Sequence, residues 1–361
     1  MPDPNTRDIS YAQAVREGLD QAMELDSGVI VIGEGVPDPK SIFNTTAGLR
    51  EKYGARRVFD MPLSENGVTG ICIGAALSGM RPVMVHQRID FALLAMDQLV
   101  NNAAKWHYMF DGKATVPLVV RLIVGRGWGQ GPQHSQSLQA LFAQVPGLKV
   151  VMPATAYDAK GMLLAAIEDD NPVIYVEHRW LHGVVDTVPA AAYRVPLDRA
   201  RLLHRGDDVT VAAFSYMTLE ALLAARALKS QSVGVEVIDM RSVRPLDQDA
   251  VVESVRRTGR LLVADTAFRT GGIAAELISQ VVERGFKSLK TAPMRITLPD
   301  HPAPTSHFMV DQYYPTPMTI ADAVLDLAAI RRDAIDYRRL QRELRRSGPI
   351  DIPSKDFVGP F

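Results

Sequence analysis

Glu65 and His134 are the two side chains whose sequence surroundings suit them best to chemistry. Glu65 stands in DMPLSENGVTGICIGAAL (60–77), on a turn at the mouth of an expected strand and at the start of a helix of small residues. With Ser64 as cap, such a carboxylate can simply favour the positive end of the helix. It can equally hold a proton for something bound at the strand's end, and spacing alone leaves both readings open. His134 closes GRGWGQGPQHSQS (125–137), whose glycines at 125, 127, 129 and 131 indicate a backbone that bends sharply or approaches a ligand closely. The loop has neither the GxxxxGK[ST] spacing nor the lysine of a phosphate cradle. A histidine on an exposed loop at a strand's carboxyl end is well placed to move a proton or steady an anion. Two other chemistries fit poorly. No GxSxG elbow occurs, and Ser135 lies beside His134, too local for a triad. The histidines are scattered without HExxH, and His178 and His182, four apart, straddle an expected strand end.

The elements that must position these residues read as parallel α/β. Short β-branched runs at 28–33, 81–87, 117–124, 148–154 and 171–179 alternate with longer stretches of helical spacing, including 10–25, where Ser10 can cap, and 91–105. Both chemical neighbourhoods then follow strand ends, where open α/β sheets bind ligands. After Gly183 the text turns proline-rich and loses helical period. A second α/β pattern follows, with strands in DDVTVAAFSY, VGVEVIDMRSVRP and GRLLVADTA and helices at 216–229, 247–257 and 271–284. The expected division is a first domain over 1–185, a linker over 186–205, a second domain over 206–331 and a basic, helix-prone tail over 332–361. That tail suits a solvated surface helix or an element that docks on a partner.

Bulk properties narrow the classes of function. At 361 residues and 47% hydrophobic content the chain has apolar material for two cores. A net charge of -1 with no concentrated Lys/Arg stretch argues against nucleic acid as a partner. No apolar run approaches the roughly 18–20 residues of a membrane helix, and the start has no signal-peptide pattern, so a cytoplasmic protein is expected. Cys72 is the single cysteine, which rules out an internal disulfide.

Six ordered blocks carry a resemblance: VIGEGV, LREKYGARRVFDMPLSENGVTGICIGAALSGMRPV, AMDQLVNNAAKWHYM, QHSQS, PGLKVVMPATAYDAKGMLLAAIEDDNPVIYVE and DMRSVRPLD. Together, over residues 8–325, they resemble the β subunits of pyruvate and branched-chain 2-oxo-acid dehydrogenases, relatives of transketolase. The resemblance implies a pyrimidine-binding α/β domain with a parallel sheet, followed by a transketolase C-terminal α/β domain, and thiamine diphosphate as cofactor. It makes Glu65 the carboxyl group that hydrogen-bonds the aminopyrimidine and promotes the tautomer whose nitrogen takes the thiazolium C2 proton. It likewise makes Phe91 the aromatic packed on the pyrimidine and Glu34 a neighbour of the site. His134 becomes the histidine beside the reacting carbon, acting in transfer to a lipoyl arm, and Ala166, Asp169 and Asn171 become a potassium-binding turn.

What is missing from the pattern is equally informative. Enzymes of this class hold magnesium and the diphosphate through a GDG stretch and a later asparagine pair. Here FDGK (110–113) and RGDD (205–208) are the nearest strings, and Asn101-Asn102 precedes the first of them. The resemblance therefore implies that an α subunit brings the diphosphate and magnesium site, in an α2β2 assembly that serves a lipoyl-bearing acyltransferase. Three segments depart from the family: VHQRIDF (85–91), with His86 and Arg88; GRGWGQGP (125–132), with Arg126 and Trp128; and EHRWLHG (177–183), with His178 and Arg179. Arg88, Arg126 and Trp128 are thus candidate substrate residues, since an arginine at the entrance can grip a carboxylate or phosphate with two bonds. The alternatives to oxidative decarboxylation are a split transketolase-like carboligase passing its fragment to an aldehyde, and a non-catalytic scaffold subunit, which Glu65 and His134 argue against.

Overall fold

The chain opens with strand β1 (Thr6–Ser10), and the β-branched runs follow as β2 (Val29–Gly33), β3 (Val58–Phe59), β4 (Arg81–His86), β5 (Val119–Val124), β6 (Lys149–Val151) and β7 (Val173–His178). In a computed structural model that describes residues 5–38, 41–346, 348 and 350–352, β2 to β7 lie parallel in the order β6-β7-β5-β4-β2-β3. Nearly every residue of β2, β4, β5 and β7 is buried, as expected of a sheet covered on both faces. The helix Tyr11–Leu25 starts where the sequence places it. Ser10 accepts from the Gln13 N–H and Gln13 Oε1 accepts from the Ser10 N–H, closing a capping box.

The helix expected over 91–105 is built differently. Phe91–Ala95 winds as a 3₁₀ turn and Gln98–Ala103 as a π turn, in which the Ala104 N–H donates to the Leu99 carbonyl. The buried residues Ala92, Ala95, Leu99 and Ala103 step by three, four and four, the spacing that puts them on one inward face.

The chain falls into two compact units. Among the described residues, those from 5 to 125 and from 141 to 197 form the first, and residues 126–140 group with those from 198 to 352 in the second. Strands occupy both ends of the stretch expected as a linker. In the first unit β8 (Val185–Pro189) pairs antiparallel with β1. In the second unit β9 (Arg201–His204) is an antiparallel edge to β11 (Val235–Asp239). The second unit's sheet has the order β14-β13-β10-β11-β9, with β10 (Val209–Ala213), β13 (Leu261–Phe268) and β14 (Met294–Leu298) parallel to β11, while the short β12 (Ser242–Arg244) follows β11 in the chain. The basic tail is not simply solvated, because Leu340 and Leu344 of the helix Tyr337–Leu344 sit in the second unit's own apolar core.

Candidate active site

At the carboxyl edge of the first unit's sheet three carboxylates come together. Glu34 follows β2, Asp60 follows β3, and Glu65 begins the helix Glu65–Leu77. Glu65 is buried at 8% exposure, and its backbone carbonyl accepts from the Thr69 hydroxyl at 2.6 Å. Asp60 is spent on the backbone, accepting from the N–H groups of Gly35 and Met61, both at 2.9 Å. Burial, and then the charges of Glu65 and Asp60, push the Glu34 carboxyl up from its ordinary range. Its Oε1 is a buried acceptor with no protein partner. Gly33 permits the arrangement, since a Cβ there would lie 2.4 Å from the Val85 carbonyl of β4.

The same edge carries the loop after β4. Arg88 donates to the Gln87 carbonyl at 2.7 Å, the Gln87 amide donates to the Glu34 carbonyl at 3.1 Å, and the Phe91 N–H donates to the Arg88 carbonyl at 3.2 Å. Glu34, Arg88 and Phe91 thus belong to one bonded segment. His86 is buried, and that burial pushes its imidazole down to about 4, so it is neutral near pH 7 and brings no charge.

Behind this edge, a bidentate ion pair spans β5 and β7. Arg121 Nε and Nη2 donate to Glu177 Oε1 and Oε2 at 2.6 and 3.0 Å, with both side chains wholly buried. Burial opposes ionisation of Glu177, but the Arg121 charge and bonds from His182 and Arg121 outweigh it and hold the carboxyl at about 2. Arg121 Nη2 also donates to the Thr45 hydroxyl at 2.9 Å. That bond anchors a turn whose Ile42, Phe43 and Asn44 all have positive φ.

The histidine loop is pinned at both ends inside the second unit. The Tyr314 hydroxyl accepts from the Gly127 N–H at 2.9 Å. Gly127 is required there, because a Cβ would meet the Asp351 carbonyl at 2.4 Å. At the other end the Ser137 hydroxyl meets Thr266 Oγ1 at 2.8 Å and donates to Gln139 Oε1 at 2.7 Å, while Gln139 Nε2 donates to Asp265 Oδ1 at 2.8 Å. Ser135 and Ser137 are buried, and His134 between these anchors is half-buried. Trp128 is half-buried with φ +56, in the left-handed region that bulky residues rarely adopt. Arg126 is buried, its Cζ 4.5 Å from the Tyr314 ring centroid and 5.0 Å from that of Tyr216. Its guanidinium therefore works within the second unit's packing.

Asp265 and Tyr314 are the anchors that sequence reasoning missed. A lone acid in the apolar run LLVADTA was the available signal for Asp265, and Tyr314 offered none. Burial pushes the Asp265 carboxyl up to about 6, against bonds from Ala267 and Gln139. The folded state therefore keeps this proton at pH values where the unfolded chain has lost it. Stability is expected to fall as pH rises from about 4 to about 6, by about 3 kcal/mol. Urea midpoints across that window should show the slope in the native chain and lose it in Asp265→Asn.

The turn after the helix Ala156–Glu168 is closed by protein groups. The Ala166 carbonyl accepts from the Asp169 N–H at 3.3 Å, and Asp169 Oδ1 accepts from the Asn171 N–H at 2.9 Å. Arg81 Nη1 donates to the carbonyls of Ile167 and Asp169 at 3.0 and 3.2 Å, and Lys149 pairs with the Asp169 carboxylate.

Tested against a thiamine cofactor, the first unit suits the aminopyrimidine: a buried carboxyl at Glu65, an unbonded buried acceptor on Glu34 and the half-buried Phe91 ring. Among the described residues no group of three or more His, Cys, Asp or Glu side chains is arranged to hold a metal ion. Among them, too, no helix is long and apolar enough to cross a membrane.

Residues 7–183 match the family described as transketolase, pyrimidine binding domain, and residues 198–320 match transketolase, C-terminal domain. The β subunit of acetoin:2,6-dichlorophenolindophenol oxidoreductase from Cupriavidus necator is 41% identical over 327 residues, covering 88% of this chain and 96% of that protein. The pyruvate dehydrogenase E1 component subunit β of Acholeplasma laidlawii is 37% identical, covering 90% of this chain and 99% of that protein. Among solved structures, an inactive β4 tetramer of a split-gene transketolase has a TM-score of 0.73 at 22% identity, covering 90% of this chain and 99% of that one, and shares the fold. On these similarities the chain belongs to the β-subunit family of thiamine-diphosphate-dependent 2-oxo-acid dehydrogenases, built from the transketolase pyrimidine-binding and C-terminal domains.

Proposed function

We propose that this chain is the β half of an enzyme that oxidatively decarboxylates a 2-oxo acid with thiamine diphosphate. The observation that carries the reading is the buried Glu65 carboxyl at the carboxyl edge of the parallel sheet, beside a Glu34 carboxyl driven toward its protonated form. When bound, the cofactor supplies an electron sink for the carbon left by decarboxylation. Glu65 hydrogen-bonds the pyrimidine and fixes its tautomer, in a dry setting that strengthens the bond. Phe91 packs against that ring, and Glu34 accepts or shares a proton beside it. His134, on its doubly anchored loop, serves the transfer of the acyl group to an acceptor, read here as a lipoyl group on an acyltransferase.

An α subunit completes the site with the diphosphate and magnesium, in an α2β2 assembly. In the same reading a structural potassium ion sits against the carbonyls at Ala166, Asp169 and Asn171, at the negative end of the helix Ala156–Glu168. The acetoin-oxidoreductase relatives favour a second reading, cleavage of a 2-hydroxy ketone in place of a 2-oxo acid.

Co-expression with the α subunit tests both. Reduction of an artificial electron acceptor is expected with a 2-oxo acid, thiamine diphosphate and magnesium, only when both chains are present. Turnover of acetoin alone would select the second reading. Product from a ketose donor plus an aldehyde, with no 2-oxo acid consumed, would make the enzyme a carboligase.

A further inference from the structure

After the helix Tyr337–Leu344 the chain runs back to the His134 loop. Leu340 and Leu344 sit in the second unit's core, and Arg346 then pairs with Glu220 and the Tyr216 hydroxyl. Ile350 packs on the cluster that holds Val310, Tyr313 and Tyr314. Asp351 is buried at 5% exposure, and its carbonyl accepts from the Trp128 N–H at 3.0 Å. All of this lies beyond residue 320, the end of the transketolase C-terminal domain.

Asp351 forms part of the seat on which the loop rests. Gly127 has φ +62, and a Cβ there would lie 2.4 Å from the Asp351 carbonyl oxygen and 2.8 Å from its Cα and Cβ, so the two backbones are in direct contact. Trp128 has φ +56, a conformation that the surroundings must impose on a bulky residue, and its N–H bond to Asp351 helps to impose it. The Asp351 side chain is itself tied down, since His307 Nδ1 lies 2.8 Å from Asp351 Oδ1. That carboxylate raises the exposed His307 imidazole above its ordinary value, which favours the charged pair. His307 begins the 3₁₀ turn His307–Gln312, and Thr305 just before it fills the space beside Gly131, where a Cβ would lie 2.6 Å from its Oγ1.

We propose that Asp351, held by His307, is a positioning residue for the His134 loop, so that the tail sets where the imidazole stands for transfer to the acceptor. This rests on the role read above for His134 and adds the element that aims it. A loop with four glycines in seven residues has little rigidity of its own, so its geometry depends on what it is bonded to.

The test uses the assembled two-chain enzyme with pyruvate and two acceptors, an artificial electron acceptor and free lipoamide. Only the second requires acyl transfer. Asp351→Ala is expected to lower transfer to lipoamide by roughly 10–100-fold, the scale of a misplacement of about 1 Å, and to spare reduction of the artificial acceptor. Backbone hydrogen exchange over 126–137 should quicken in the same variant while the melting temperature holds. His307→Gln should do the same, and the double variant should lose no more than either alone, because the two side chains act through one contact.

Unchanged exchange over 126–137 in Asp351→Ala, an equal loss with both acceptors, or additive losses in the double variant would overturn the proposal. His134→Ala is the reference. If pyruvate is not turned over, or if His134→Ala transfers to lipoamide as well as wild type, the reading of the enzyme or of His134 fails instead, and exchange alone judges the tail. Faster exchange over 126–137 in both single variants then supports it, and unchanged exchange in either sinks it.

Discussion

Glu65→Gln in the assembled enzyme is expected to lower turnover by roughly 10²–10⁴-fold, the range for losing a positioned acid–base group. Glutamine keeps the shape of the side chain and one hydrogen bond, but it cannot exchange a proton with a bound ring. The residue begins a helix and stands near Glu34 and Asp60, so removing its charge relieves a like-charge cluster. The variant should therefore melt no lower than wild type. Loss of activity together with unchanged or improved stability would separate a proton-handling role from the helix-end role that the sequence left open. A variant that kept its activity would return Glu65 to the latter.

The second large effect is on stability. Arg121 and Glu177 are both fully buried and bonded twice to each other, so Glu177→Leu leaves a desolvated guanidinium without its counter-ion. The expected cost is about 3–5 kcal/mol, read from the denaturant midpoint of the chain. Arg121→Leu should cost as much. The double variant should lose clearly less than the two single losses together, because neither charge is then stranded. Additive losses would show that the pair acts through packing alone. The Arg121 bond to Thr45 extends the consequence to the Phe43 turn, so Arg121→Leu should also loosen that turn.

Most of the fold was legible because strand and helix periods are local properties. Runs such as PLVVRLIV and the helix over 216–229 can be read from their own residues. Less legible were features set by pairing at a distance. Strands β8 and β9 lie in proline-rich text and exist because β1 and β11 offer them edges. Positions 91–105 have helical spacing, yet they wind as a 3₁₀ turn and a π turn, which that spacing does not reveal. Glu65, His134, Phe91 and Glu34 could be named from ordered motifs, whereas Asp265 and Tyr314 could not. Each of those two acts on a residue remote in sequence and carries no pattern of its own. Arg126 illustrates the converse: its type and loop suggested an entrance, while Tyr216 and Tyr314, far along the chain, claim its guanidinium.

The grouping of residues 126–140 with the chain beyond 198 bears on how such proteins can be recombined. A hybrid spliced once near 197 would seat this chain's His134 loop on a relative's surface in place of its own Tyr314, Asp265 and Thr266. Grafting needs two crossovers, so that the loop travels with the sheet that anchors it. By the same reasoning, exchange between relatives during evolution should tolerate breakpoints around this loop better than a single cut between the two halves.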